Sequence, residues 1–102
     1  MAMIDANGKT IDEEIINYSI DKAKQGDANA QRHLGYVYGF NNDYEKSFYW
    51  FKKATEQGDA ESISHLGTLY FDGNGVLQDF DKALNCFEKA AGTKLFRFRA
   101  FN

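Results

Sequence analysis

The 102-residue chain has no proline, a single cysteine (Cys86) and no apolar run approaching the length of a membrane span. Without proline, no helix is interrupted by a pyrrolidine ring. One cysteine excludes an intrachain disulfide, so nothing in the sequence requires an oxidising compartment. The first ten residues contain no apolar signal core. Together with the missing span, this predicts a soluble, cytoplasmic protein, unless a signal peptide has been removed. The net charge of −3 is too small to imply a polyanion partner. The only basic cluster is Lys94, Arg97 and Arg99, so neither nucleic-acid nor membrane binding is expected. The charge is unevenly shared. Before Thr93 there are 9 basic and 15 acidic residues, a balance of −6, and from Thr93 onward there is no acid. Such a basic tail would fold back on the acidic body, meet an acidic partner, or simply aid solubility.

What the chain does have is a repeat. Gln-Gly-Asp-Ala occurs at 25–28 and again at 57–60. The same offset of 32 relates His33 to His65, Leu34 to Leu66, Gly35 to Gly67 and Tyr38 to Tyr70. Beyond the following loop the offset becomes 36, relating Asp43 to Asp79, Lys46 to Lys82, Phe51 to Phe87 and Ala54 to Ala90. Four residues have entered the second loop and the register then resumes, which a loop tolerates and a helix would not. In each copy the glycine suits the left-handed residue that ends a helix, and the aspartate suits the cap of the next. Two helices joined by a tight turn follow. Ala30, Leu34, Val37 and Tyr38 form one apolar face; Tyr44, Ser47, Trp50, Phe51 and Ala54 form the facing one. Gly35 and Gly67, each costing about 1 kcal/mol inside a helix, point to close backbone approach.

The pattern divides the chain into an N-terminal half-repeat helix at 10–25, repeat one at 27–58, repeat two at 59–92 and a divergent tail at 93–102 expected to cap the stack. Ile11, Ile15, Ile16, Tyr18, Ile20 and Ala23 cover about half the circumference of the first helix, wider than a one-sided stripe. An end helix that touches two parts of its own domain accounts for this; contact with another chain around Ile16 and Ile20 is the alternative.

These landmarks resemble the Sel-one-like repeat (SLR) family, a relative of the tetratricopeptide repeat. The second copy carries Ala60, Leu66-Gly67, Tyr70, Gly73, Gly75-Val76, Asp79-Phe80, Lys82-Ala83, Cys86-Phe87 and Lys89-Ala90-Ala91. The first carries Ala28, Leu34-Gly35, Tyr38, Asp43-Tyr44, Lys46-Ser47, Trp50-Phe51 and Lys53-Ala54, without the glycine–valine loop. The resemblance implies an all-α, short right-handed superhelix of antiparallel helix hairpins, about two and a half repeats long. It also implies an adaptor or scaffold role. Many bacterial members act in host interaction or stress, and short copies stand beside toxins as immunity proteins.

The sequence offers no catalytic constellation, so a non-enzymatic protein is expected, without cofactor or metal. His33 and His65 should project from neighbouring helices about 8–10 Å apart, too far to share one metal. Cys86 falls on a buried face, as a small core residue would. The Gly73-Asn74-Gly75 loop lacks the Lys-Ser/Thr of a phosphate loop. What remains is a surface formed by the non-core face of the first helices: Asn29, Arg32, His33, Tyr36 and Phe40 from copy one, and Glu61, Ser64, His65 and Thr68 from copy two. Aromatic and arginine side chains there are candidate anchors for a partner protein. For Phe40, partial burial against its loop is the competing expectation. An acidic body suits a basic toxin as partner. A homodimer through exposed ends and a hydrolase of the kind claimed for some relatives are the rival readings.

Overall fold

The computed structural model describes Gly8 and residues 11–92. These contain five α-helices and no strand: α1 (Ile11–Lys24), α2 (Ala28–Phe40), α3 (Tyr44–Glu56), α4 (Ala60–Asp72) and α5 (Phe80–Ala91). The tail at 93–102 and Thr10, the first residue of the expected N-terminal half-repeat, lie outside the described residues.

Each helix from α2 to α5 begins the way the sequence suggests. The side chains of Asp27, Asp43, Asp59 and Asp79 accept from the backbone N–H three residues on, at Ala30, Lys46, Ser62 and Lys82. This satisfies amides that the first turn leaves open. Gly26 (φ 98°) and Gly58 (φ 86°) take the left-handed conformation between one helix and the next. The four-residue insertion does not disturb this closure. The Asp43 N–H donates to the Tyr38 carbonyl at 2.9 Å, and the Asp79 N–H donates to the equivalent Tyr70 carbonyl at 2.9 Å. The added residues reach back onto the preceding hairpin, where Gly75 rests on the Tyr44–Glu45 peptide so closely that a Cβ would collide with it.

Consecutive helices pack as antiparallel neighbours, with α2 on α3 and α4 on α5 forming the hairpins, α1 on α2 and α3 on α4 joining them. The glycine landmarks lie in the tightest places. A Cβ on Gly35 would stand 2.6–2.7 Å from the Phe51 ring, and one on Gly67 2.8 Å from that of Phe87. Leu34, Phe51, Ala54, Leu66, Leu69, Ala83 and Cys86 are buried. Burial pushes the Cys86 thiol up, against a smaller opposing effect of Lys89. The lysine landmarks also repeat a contact: Lys46 lies 5.3 Å from the Tyr38 ring and Lys82 5.6 Å from that of Tyr70. Among the described residues Thr55 Oγ1 is buried without a partner, but other buried polar groups are paired. Ser47 Oγ donates to the Gly35 carbonyl (2.7 Å), and Gln31 Nε2 donates to the Ala23 carbonyl (3.0 Å) while its Oε1 accepts from Gln57 (2.8 Å). The last pair of bonds ties α1, α2 and the end of α3 together across the repeat boundary.

Candidate partner-binding site

The first helices α2 and α4 lie side by side on one face of the stack, and most of the candidate residues meet there. Arg32 reaches from α2 to Asp59, the cap of α4, at 2.8 Å, and lies 3.6 Å from Glu61. Asn29 Oδ1 accepts from the same guanidinium at 3.0 Å. Tyr36 donates its hydroxyl proton to Glu61 (3.2 Å), and its oxygen lies 2.9 Å from His65 Nε2. A phenol has one proton and a carboxylate can only accept. His65 Nε2 therefore carries hydrogen and donates to Tyr36. The His65 ring stacks on Phe51 at 4.9 Å, and Tyr36 stands edge-on to both. Burial holds His65 below its ordinary pKa; Glu61 opposes this and Arg32 adds to it. Tyr36 is raised, chiefly by burial and then by Glu61.

Five of the nine candidates, Asn29, Arg32, Tyr36, Glu61 and His65, thus form one network across the α2–α4 contact. They hold one repeat to the next as well as facing outward. Alanine at Arg32 or Tyr36 should therefore lower the melting temperature as well as alter the outward face.

Beside the network lies an apolar depression of about 330 Å³, lined by Gly35, Tyr36, Gly39, Phe40, Tyr44, Ser47, Phe51, His65, Thr68 and Leu69. Phe40 is 85 % exposed at its edge, so the partial burial entertained from the sequence does not occur. Thr68 is exposed, and its hydroxyl donates to the Ser64 carbonyl at 3.2 Å. Ser64 itself is half-buried and does not line the depression. His33 stands apart from its counterpart: it lines a second hollow, about 530 Å³, with Ile15, Ile16, Val37, Phe40 and Asn41, between α1 and α2. Phe40 is shared by the two hollows and forms the ridge between them.

Sequence reasoning missed Tyr44, Gly39 and Leu69 as part of the lining. Its helical spacing puts Tyr44 on the core face, which is also the wall of the depression. Gly39 gave a usable signal, since a helix-end glycine without a side chain opens the floor over Ser47. Among the described residues, no group of three or more His, Cys, Asp or Glu side chains could hold a metal ion. No described helix is long and apolar enough to cross a membrane.

Paired helices stacked in register, with an open face in place of an enclosed pocket, define a helical-repeat solenoid. The chain belongs to the Sel1 repeat family, whose repeat it matches at residues 28–59 and again at 60–91. It is similar to a protective antigen present in uropathogenic Escherichia coli strains that displays an SLR fold. The TM-score is 0.73 and the identity 34 %, covering 78 % of this chain and 18 % of that one. It is also similar to a Sel1 repeat protein from Oxalobacter formigenes, with a TM-score of 0.71 and 28 % identity, covering 92 % of this chain and 40 % of that one. The chain spans less than half the length of either. No curated protein matches it. Sel1 repeats are commonly protein-interaction modules.

Proposed function

We propose that this chain is a non-enzymatic binding module that takes an apolar side chain of a partner protein into the depression between α2, α3 and α4. The observation that carries the reading is Phe40, a large ring 85 % exposed at the edge of an aromatic-walled hollow. An isolated exposed ring needs no explanation, but one continuous with an apolar concavity marks a contact surface. A hollow of about 330 Å³ suits one or two side chains, at the small end of ligand sites. The aromatic residues beside it are the types that supply binding hot spots.

The test is capture of partners from the native host with wild type, Phe40→Glu and Tyr49→Glu. Tyr49 is half-exposed on the opposite face of α3, beside Trp50 and Lys53, and serves as the control. The partner retained by wild type and Tyr49→Glu should be lost with Phe40→Glu. If Phe40→Glu captures the same protein equally well, the assignment fails. An immunity protein that occludes a basic toxin is one form of this reading, supported by the −6 balance before Thr93. A toxin gene directly upstream is what it requires.

Self-association is a second reading, favoured by apolar groups at both ends of the stack. Ile15 and Tyr18 are 48 % and 64 % exposed on α1; Phe71, Leu77 and Phe80 are 52 %, 88 % and 59 % exposed around the longer loop. Light scattering decides it, because a monomer whose mass ignores concentration rules it out.

A further inference from the structure

We propose that the chain's own segment Leu95-Phe96-Arg97-Phe98-Arg99 occupies the aromatic depression in cis, as an intramolecular competitor for the partner, and that the partner segment shares its alternating aromatic and basic chemistry. This deepens the reading above and rests on the depression being the binding face.

Three observations converge on the segment. The first is complementarity of charge. Around the depression Arg32 is the only arginine among the described residues, and it faces two carboxylates, Asp59 at 2.8 Å and the largely exposed Glu61 at 3.6 Å, while Asp72, one turn beyond Thr68, is exposed. The rim is left acidic, and residues 93–102 bring three cations and no acid. The second is pattern. In an extended chain alternate side chains face opposite ways, so Phe96 and Phe98 share one face while Arg97 and Arg99 share the other. Two rings then meet Tyr36, Tyr44 and Phe51, and the long arginine stems bend back to the carboxylates at the rim.

The third is reach. Helix α5 runs antiparallel to α4, with Phe87 against Gly67, so Gly92 comes level with the first turns of α4. From there His65 and Thr68 are ~5–9 Å along α4, and crossing one helix adds ~10 Å. The stretches from Gly92 to Phe96 and to Phe98 span up to ~14 Å and ~21 Å when extended. The second hollow, against α1, is two helices further along the stack and beyond them. The Phe71–Leu77–Phe80 patch is close enough, but its two phenyl rings already pack on each other at 5.2 Å. A tethered segment works at an effective concentration in the millimolar range, so a weak site is enough for occupancy.

The test uses ¹⁵N spectra of the full chain and of its Phe96→Ser/Phe98→Ser variant, with a synthetic peptide of residues 93–102 as probe. The amides of Gly39, Phe40 and Thr68 should differ between the two proteins, by amounts that dilution does not change. The peptide should bind the variant about tenfold more tightly than wild type, as expected for a ~0.1 mM site facing a millimolar tether. Differences confined to α5 or to Phe71 and Phe80 would make the segment an end cap and overturn the proposal. Differences that vanish on dilution would assign the segment to a second copy, and no difference at all would leave it unbound; either result also overturns it. The two readings fail separately, since partner capture that ignores Phe40 sinks the first and leaves these spectra unchanged.

Discussion

At the junction of α1 with α2, the helix preceding the repeat offers Ser19; at the junction of α3 with α4, 32 residues later, it offers Phe51. Both residues are buried, at 8 % and 4 % exposure. Above Phe51 the histidine of the second copy stacks on an aromatic ring, bonds to Tyr36 and joins a charged network. Among the described residues the histidine of the first copy has no such ring beneath it in the hollow it lines, where Ile15 and Ile16 face it. The two histidines occupy the same register of one pattern, yet their surroundings are set by the neighbour and not by the pattern. A repeat landmark therefore fixes the backbone and the direction of a side chain. The preceding unit decides whether that side chain works as cement or as surface.

The largest expected effect comes from removing the ring that makes the junctions differ. Phe51→Ala should cost about 3–5 kcal/mol in urea unfolding. It should also bring the His65 titration back toward 6.5, the ordinary value from which burial lowers it. Ser19→Ala should cost about 1 kcal/mol or less. Equal losses at the two positions would break the comparison.

Next are the glycines pressed by those rings. Intrinsic helix propensity favours alanine over glycine by about 1 kcal/mol. Gly67→Ala should nonetheless destabilise by about 1–3 kcal/mol, because the Phe87 ring must move. A stabilised Gly67→Ala variant would contradict the packing described.

Arg32→Ala should cost about 1–2 kcal/mol, since it leaves a partly buried Asp59 carboxylate without its cation. Ser64→Ala, at the same register of the second copy, should stay within about 0.5 kcal/mol. Thermal melting of the two variants side by side measures the difference.

The smallest effect is one of pH. His65 prefers to be neutral in the fold, so its folded pKa lies below the 6.5 of the unfolded chain. Its contribution is complete above pH 6.5. As pH falls below 6.5 the unfolded state takes up the proton first, and stability declines until the folded His65 is itself protonated. Melting temperatures between pH 7.5 and pH 5, compared with those of His65→Gln, should show a slope that the variant has largely lost.

Much of this architecture is legible in the sequence, because caps, glycines and apolar spacing are local features and the repeat states them twice. The four aspartate caps, the left-handed Gly26 and Gly58, the burial of Cys86 and the loop insertion are all written that way. The site was legible only in part. The spacing of Arg32, Tyr36, Glu61 and His65 gives the shared face, but a single repeat cannot show that they bond to each other across two helices. Gln31 and Ser62 are buried although their types suggest exposure: Gln57, brought close only by folding, partners the first, and the neighbouring cap Asp59 partners the second. For Phe40 the sequence allows either a place on the binding face or cover by its own loop, and what leaves it in water is the short turn at Asn41 and Asn42, which passes without covering it.

The most direct measurement of the central claim is an amide-resolved map of the ¹⁵N-labelled chain titrated with its captured partner. The account predicts perturbations centred on Gly39, Phe40, Tyr44 and Thr68, with Tyr49 and Lys53 unmoved. Perturbations centred on Tyr49, Trp50 and Lys53, with the depression unchanged, would contradict it.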